Sequence, residues 1–269
     1  VGFIAGVGFS RRADRSYEHS SDRSRAPATP IDAAGAQVIL GRMLRAVLFD
    51  VDFTLSRPGP ELGPDAYRAV GLAHGLDLDP EAYDDARQAA LDDLQRHPEL
   101  VHDEEIWIAF TEDIVLGMGG DPKGARACAT DMVRRWEDHQ NFALYDDALP
   151  VLAELRRHRL AIGLISNGQR DLVAFATHHA LDVDVAIGSK AHGRSKPHRS
   201  IFETALAALA VEPAQAAMVG DSYEDDIAGA RALGMRAILL DRDGIHPREP
   251  DRILDLAALP AALGFAPTA

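Results

Sequence analysis

A short, almost wholly apolar run at residues 44–49 stops abruptly at Asp50-Val51-Asp52-Phe53-Thr54. A run of that length reads as a strand buried on both faces, and the switch to Asp-x-Asp-x-Thr reads as the loop at its carboxyl end. Four further apolar runs follow, at 160–165, 183–187, 216–219 and 236–240. Each comes directly after a stretch with helical spacing, at 148–159, 170–179, 201–209 and 225–233. Helix alternating with short apolar strand predicts an α/β fold: a Rossmann-like parallel sheet with helices on both faces, to which 44–49 also belongs. The intervening segment has a different period. Stretches 64–75, 80–95, 103–118 and 122–139 open near Pro or Asp and carry apolar residues at i, i+3, i+4, as in Ile106, Phe110 and Ile114. They predict four helices with no strand among them, too long for a crossover connection and therefore an inserted all-helical cap domain.

The expected domains are an α/β core at 43–55 and 147–269 and a helical cap at 56–146. Residues 1–42, rich in Ser, Arg, Asp and Pro, read either as a disordered tail or as upstream sequence from a misplaced start, Met43 standing directly before the first strand. The first ten residues are apolar but too few to span a bilayer, and Arg11 and Arg12 follow them where a secretory signal would place charge ahead.

Composition narrows the partners. A formal charge of −14, from 28 basic and 42 acidic residues among 269, argues against nucleic acid and acidic membranes as partners. An anionic substrate then requires local positive charge or a metal. The single cysteine, Cys128, excludes an intramolecular disulfide and fits a reducing cytoplasm as a small buried helix residue. The expected state is a cytoplasmic monomer or homodimer.

The chemistry gathers at strand ends. In a parallel sheet all carboxyl ends point to one edge, where ligands bind. Here those ends deliver Asp50, Asp52 and Thr54; Ser166-Asn167-Gly168 before a helix start; Lys196-Pro197; and Gly220-Asp221-Ser222 followed by Asp225-Asp226. Each piece alone reads as a turn, a helix cap or a solvated charge. Together they read as one site. Carboxylate oxygens of Asp50 and Asp221 suit Mg²⁺, which binds through one or two carboxylates and substrate phosphate, while hydroxyl, amide and ammonium groups suit phosphoryl oxygens. No Gly-rich loop follows the first strand to cradle a nucleotide.

These four motifs, in order over residues 44 to about 243, resemble those of the haloacid dehalogenase (HAD) superfamily of hydrolases, and the helical insertion resembles its C1-capped, phosphatase-like subfamily I. The resemblance implies that Asp50 is a nucleophile forming an aspartyl phosphate and Asp52 the general acid and base. It implies that Thr54, Ser166 and Asn167 bind the phosphoryl group and that Lys196 neutralises charge there. Asp50, Asp221 and the backbone carbonyl of Asp52 would hold Mg²⁺, with Asp226 outside them. The implied activity is Mg²⁺-dependent hydrolysis of a small phosphorylated metabolite. Phosphomutase is the nearest alternative, and 2-haloacid dehalogenase a weaker one, because a halide leaves without the proton that Asp52 supplies. A noncatalytic binding protein is the alternative of another class. Two residues depart from the pattern: Phe53 stands where Gly is usual, narrowing the turn, and His198 follows Lys196-Pro197. Cap residues Arg57, His102, Glu104, Glu105 and Trp107 are candidates for substrate contact.

Overall fold

A computed structural model describes residues 44–94 and 96–266, so the stretch 1–42 and Met43 lie outside the described residues. The strands in chain order are β1 (Ala46–Phe49), β2 (Ser56–Pro58), β3 (Phe142–Leu144), β4 (Ala161–Ser166), β5 (Val185–Gly188), β6 (Ala216–Gly220), β7 (Arg236–Leu240) and β8 (Arg252–Ile253). Six of them form a parallel sheet in the order β5-β4-β1-β6-β7-β8. The first strand therefore lies inside the sheet, between β4 and β6. Its alternate side chains serve two cores: Val47 and Phe49 pack on one face, Ala46 and Leu48 on the other.

The helices are α1 (Pro64–Ala73), α2 (Tyr83–Asp93), α3 (Glu104–Gly117), α4 (Pro122–Glu137), α5 (Ala148–Arg157), α6 (Leu172–His178), α7 (Ser189–His192), α8 (Arg199–Ala208), α9 (Gly229–Ala232) and α10 (Leu259–Ala262). Leu152 and Leu155 of α5, Phe175 of α6 and Leu259 of α10 fill the Val47 side, while Ile201 and Phe202 of α8 and Ala230 of α9 fill the other. Both faces are covered, as the unbroken apolar strands require. The cap has its own core, built on Tyr67, Leu78, Ile114 and Met132, and Cys128 is buried in it. Asp103 and Asp121 cap α3 and α4 by accepting from the backbone N–H of Glu105 and Lys123.

Four local expectations need correction. The cap segment does contain strands: β2 and β3 pair antiparallel, with Ser56 opposite Leu144 and Pro58 opposite Phe142. Three residues are too few to display an alternation, and their partners are far apart in the chain. The stretches with helical spacing include none between 187 and 201, yet α7 lies there. The stretch 225–233 opens as a π-helix, Tyr223–Ala228, in which the Ser222 carbonyl accepts from both Asp226 and Ile227. The helix expected over 80–95 begins as a 3₁₀ turn at Pro80–Ala82.

The two crossings between core and cap are tied together by one side chain. Arg242, just past β7, donates to the Thr54 carbonyl on the outgoing crossing and to both oxygens of Asp147 beyond the returning one. Its guanidinium also lies 4.0 Å from the centre of the Tyr145 ring. Among the described residues no helix is long and apolar enough to cross a membrane. Arg242→Met leaves the partly buried Asp147 carboxylate without its cation. The expected loss is about 2 kcal/mol, the scale of a charged hydrogen bond, measured as a lower urea midpoint at an unchanged slope.

Candidate active site

The carboxyl ends of β1, β4 and β6 place their loops around a cavity of about 190 Å³ that lies between core and cap. Lys196 is at its floor, 2 % exposed, with Nζ 2.5 Å from Asp50 Oδ1 and 2.6 Å from Asp226 Oδ1. Lys196 is held in place by Asn167, whose Oδ1 accepts from the Lys196 backbone N–H at 2.6 Å and whose Nδ2 donates to the Lys196 carbonyl at 2.9 Å. An amide just past the end of β4 thus fixes the backbone that delivers the ammonium.

The π-helix explains how two consecutive aspartates both turn inward. Its extra residue per turn lets Asp225 reach Arg96 of the cap and Nδ2 of Asn167 while Asp226 faces Lys196. The second oxygen of Asp226 accepts from the Ser222 N–H at 3.1 Å. Gly220 makes room for this carboxylate: a Cβ there would stand 2.1 Å from Asp226 Oδ2. Any larger residue at Gly220 displaces Asp226.

Carboxylate oxygens of Asp50, Asp221 and Asp226 lie within 4.8 Å of one another. Three carboxylates confront one ammonium. Burial first pushes all three up from the ordinary carboxylate range, Asp226 to about 7; Lys196 opposes it, and neighbouring carboxylates add to it, Asp52 at Asp50 and Asp50 at both Asp221 and Asp226. The same carboxylates hold the Lys196 ammonium firmly protonated against the cost of its burial. Clustered hard oxygens with an uncompensated charge fit a divalent cation such as Mg²⁺.

The other expected residues divide. Asp52 and Ser166 line the cavity, and Asp52 is paired with Arg170. Arg170 is buried, lies 3.5 Å over the Phe142 ring and was missed by sequence reading. Its signal, an Arg four positions after Ser166 in the same loop, is too common to single out. Thr54 is not placed as expected: it is wholly buried away from the cavity lining, and its hydroxyl donates to Asp221 Oδ1 at 3.4 Å. Asn167 lines the cavity, but both ends of its amide serve Lys196 and Asp225.

Of the cap candidates, Trp107 lines the cavity. His102 ties cap to core instead, between Ser189 at 2.9 Å and Gln169 at 3.3 Å, and burial pulls its pKa down. Glu104 lies near Lys190 and Glu105 pairs with Arg126, both on the surface, while Arg57 packs over Tyr145. His198 caps α8 by accepting from the Ser200 N–H. Phe53 sits at φ 62°, the left-handed region, which costs a residue with a Cβ about 1–2 kcal/mol. Its ring lines the cavity under Arg87 of α2, 5.9 Å from the guanidinium carbon.

The model of the haloacid dehalogenase-like hydrolase family matches residues 44–234, which contain every site residue described above. A phosphoserine phosphatase of Thermus thermophilus is 38% identical over 144 residues, covering 51% of this chain and 55% of that protein, so the chain aligns with only about half of that relative. A glyceraldehyde 3-phosphate phosphatase of Methanopyrus kandleri is 29% identical over 227 residues, covering 79% of this chain and 92% of that protein. Among solved structures, a 2-haloacid dehalogenase of Pseudomonas syringae superposes with a TM-score of 0.54 at 26% identity, covering 82% of this chain and 98% of its own. With this match across most of the chain and a buried aspartate cluster at its strand ends, the protein belongs to the haloacid dehalogenase-like hydrolases.

Proposed function

We propose that the protein is a Mg²⁺-dependent phosphomonoesterase of the cytoplasm that acts on a small phosphorylated metabolite through a phosphate ester of Asp50. The observation that carries this reading is the carboxylate of Asp52, which faces the same cavity as Asp50 and is held there by Arg170. A phosphate ester needs a proton for its leaving alcohol, and a halide needs none. Asp52 therefore favours phosphate transfer over dehalogenation, despite the likeness to a dehalogenase structure. The phosphatase names of the two sequence relatives point the same way.

In this reading the Asp50 carboxylate attacks phosphorus while Asp52, carrying the proton it took from water in the preceding turnover, gives that proton to the departing alkoxide. The ester bond breaks and the phosphoryl group is carried on Asp50. Asp52 then takes a proton from a water whose oxygen attacks the same phosphorus, releasing phosphate and restoring the carboxylate. Lys196 stabilises the charge gathering on the phosphoryl oxygens, and the hydroxyl of Ser166, which lines the same cavity, donates to them. Asp50, Asp221 and the Asp52 carbonyl would hold Mg²⁺, which when bound supplies electrostatic relief for an anion approaching an anionic site. Asp226 acts through Lys196 and Asp50 rather than on substrate, and Thr54 acts through Asp221. The cap admits the ester and then excludes water. The large negative charge of the chain leaves nucleic acid and membrane out of the reading, with a monomer or homodimer as the acting form.

Release of p-nitrophenol from p-nitrophenyl phosphate by the full chain is expected to require Mg²⁺ and to stop with chelator. Asp50→Asn should lower it at least about a thousandfold, and Asp52→Asn by about 10²–10⁴-fold. Turnover that survives Asp50→Asn would remove the aspartyl phosphate from the mechanism.

Metal binding is separately testable by thermal melting. Magnesium at roughly a hundred times its dissociation constant should stabilise the fold by about 2.7 kcal/mol, several degrees in melting temperature. The expected slope with pH has a definite sign. Burial first, and the Asp50 charge with it, raise Asp226 to about 7 from an ordinary value of 3.8, so between those values the folded chain binds a proton that the unfolded chain does not. In chelator, stability therefore rises as pH is lowered from about 8 to about 6, and Mg²⁺ flattens that slope. A melt insensitive to Mg²⁺ and chelator at every pH would exclude the cluster as a cation site.

A further inference from the structure

The roof of the cavity does not match its floor. Five aromatic residues of the cap line it, Tyr67, Tyr83, Trp107, Phe110 and Trp136, with Tyr67 and Tyr83 in contact at 5.1 Å between ring centres. The Tyr67 hydroxyl is already hydrogen-bonded to buried Thr111, so the ring offers the cavity its apolar face. A small polar ester bound over the aspartates would leave these walls against water. An apolar body would displace that water and gain from its release.

The charged groups that reach the cavity from the cap are nearly all engaged. Arg96 pairs with Asp225, Asp103 caps α3, and His97 Nδ1 accepts from the Glu99 N–H. Arg87 is different. It is half-buried on α2, lines the cavity, rests against the ring of Phe53, and forms no salt bridge among the described residues. Phe53 itself is held in the left-handed region, so a strained aromatic residue of the core loop is what meets this guanidinium. A half-buried cation in an apolar surround, without an anion of its own, gains most from one delivered by a ligand.

We infer that the substrate is a phosphomonoester whose leaving group combines an apolar, ring-bearing body with a second anionic group, and that Arg87 above Phe53 reads that second anion. The inference rests on the phosphatase reading for turnover, while the subsite itself concerns binding. The second anion is a carboxylate or a second phosphate, which offer the guanidinium the same acceptor oxygens.

The test compares isosteric esters on the full chain with Mg²⁺, following phosphate release. 4-Carboxyphenyl phosphate and benzene-1,4-diyl bisphosphate should each exceed neutral 4-carbamoylphenyl phosphate in kcat/KM by at least about tenfold, the scale of a charge-assisted hydrogen bond. The larger of the two ratios identifies the anion. Arg87→Met and Arg87→Gln should each bring both ratios to within about threefold of one. O-Phosphoserine, small and polar, should fall at least about tenfold below the carboxyphenyl ester. In parallel, calorimetry compares 4-carboxybenzylphosphonate with 4-carbamoylbenzylphosphonate, which bind without turnover. Tighter binding of the carboxylate that is lost in both Arg87 variants, with no ester hydrolysed, would keep the subsite and reject the phosphatase reading. Equal turnover of charged and neutral esters would reject the subsite and keep the phosphatase. A preference that persists in the Arg87 variants, or a preference for O-phosphoserine, overturns the inference.

Discussion

A buried ammonium between two buried carboxylates organises this molecule. Lys196 contacts both Asp50 and Asp226, and none of the three is open to bulk water. Such a group is stable in the interior only when its partners are themselves held, since a displaced partner would strand a charge in low dielectric. Much of the surrounding structure does that holding. Asn167 clamps the Lys196 backbone, the Ser222 N–H and the gap left by Gly220 orient Asp226, and β1 between its two neighbours fixes Asp50. The strands β4, β1 and β6 that lead here are adjacent in the sheet, so the ion cluster is built at the carboxyl edge of its centre.

The cluster remains unbalanced by design of its surroundings. Asp221 adds a third carboxylate with no lysine of its own, and burial raises all three. A buried cluster made largely of carboxylates is electrostatically costly unless cations share it. Lys196 supplies one, and the oxygen cluster is suited to attract another.

The cap contributes a second, unlike environment. It joins the core through the ribbon of β2 and β3, beside which Arg242 links Thr54 to Asp147, and through contacts near the site: Arg96 on Asp225, His102 on Ser189 and Gln169, and an isolated bridge between Val101 and Arg194. These contacts link cap position to the same loops that carry Lys196 and the motif at Ser166. Phe53 joins the two environments, because its ring extends from the aspartate loop to Arg87 of the cap.

What was legible in the chain was whatever depends on local period and residue type. Short apolar runs with no alternation identified the parallel sheet, since strands buried on both faces need apolar residues at every position; the 3.6-residue period identified the cap helices. Asp50, Asp52, Ser166, Lys196 and Asp221, read at or beyond strand ends, line one cavity, because parallel strands share one carboxyl edge. The short ribbon and the single turn of α7 were not legible, being too brief to show a period. Nor were the partners of Thr54, Asn167, Arg170 and Arg87. Which acceptor a buried donor finds is decided by side chains that are scores of residues away in sequence, as Arg170 is from Asp52, and by backbone geometry such as the π-turn that aims Asp225 and Asp226 inward together. The sequence by itself determined the fold class and the set of polar groups brought to one edge of the sheet, because these follow from pattern and composition; only the tertiary structure decided which of them face the cavity and which hold the others in place.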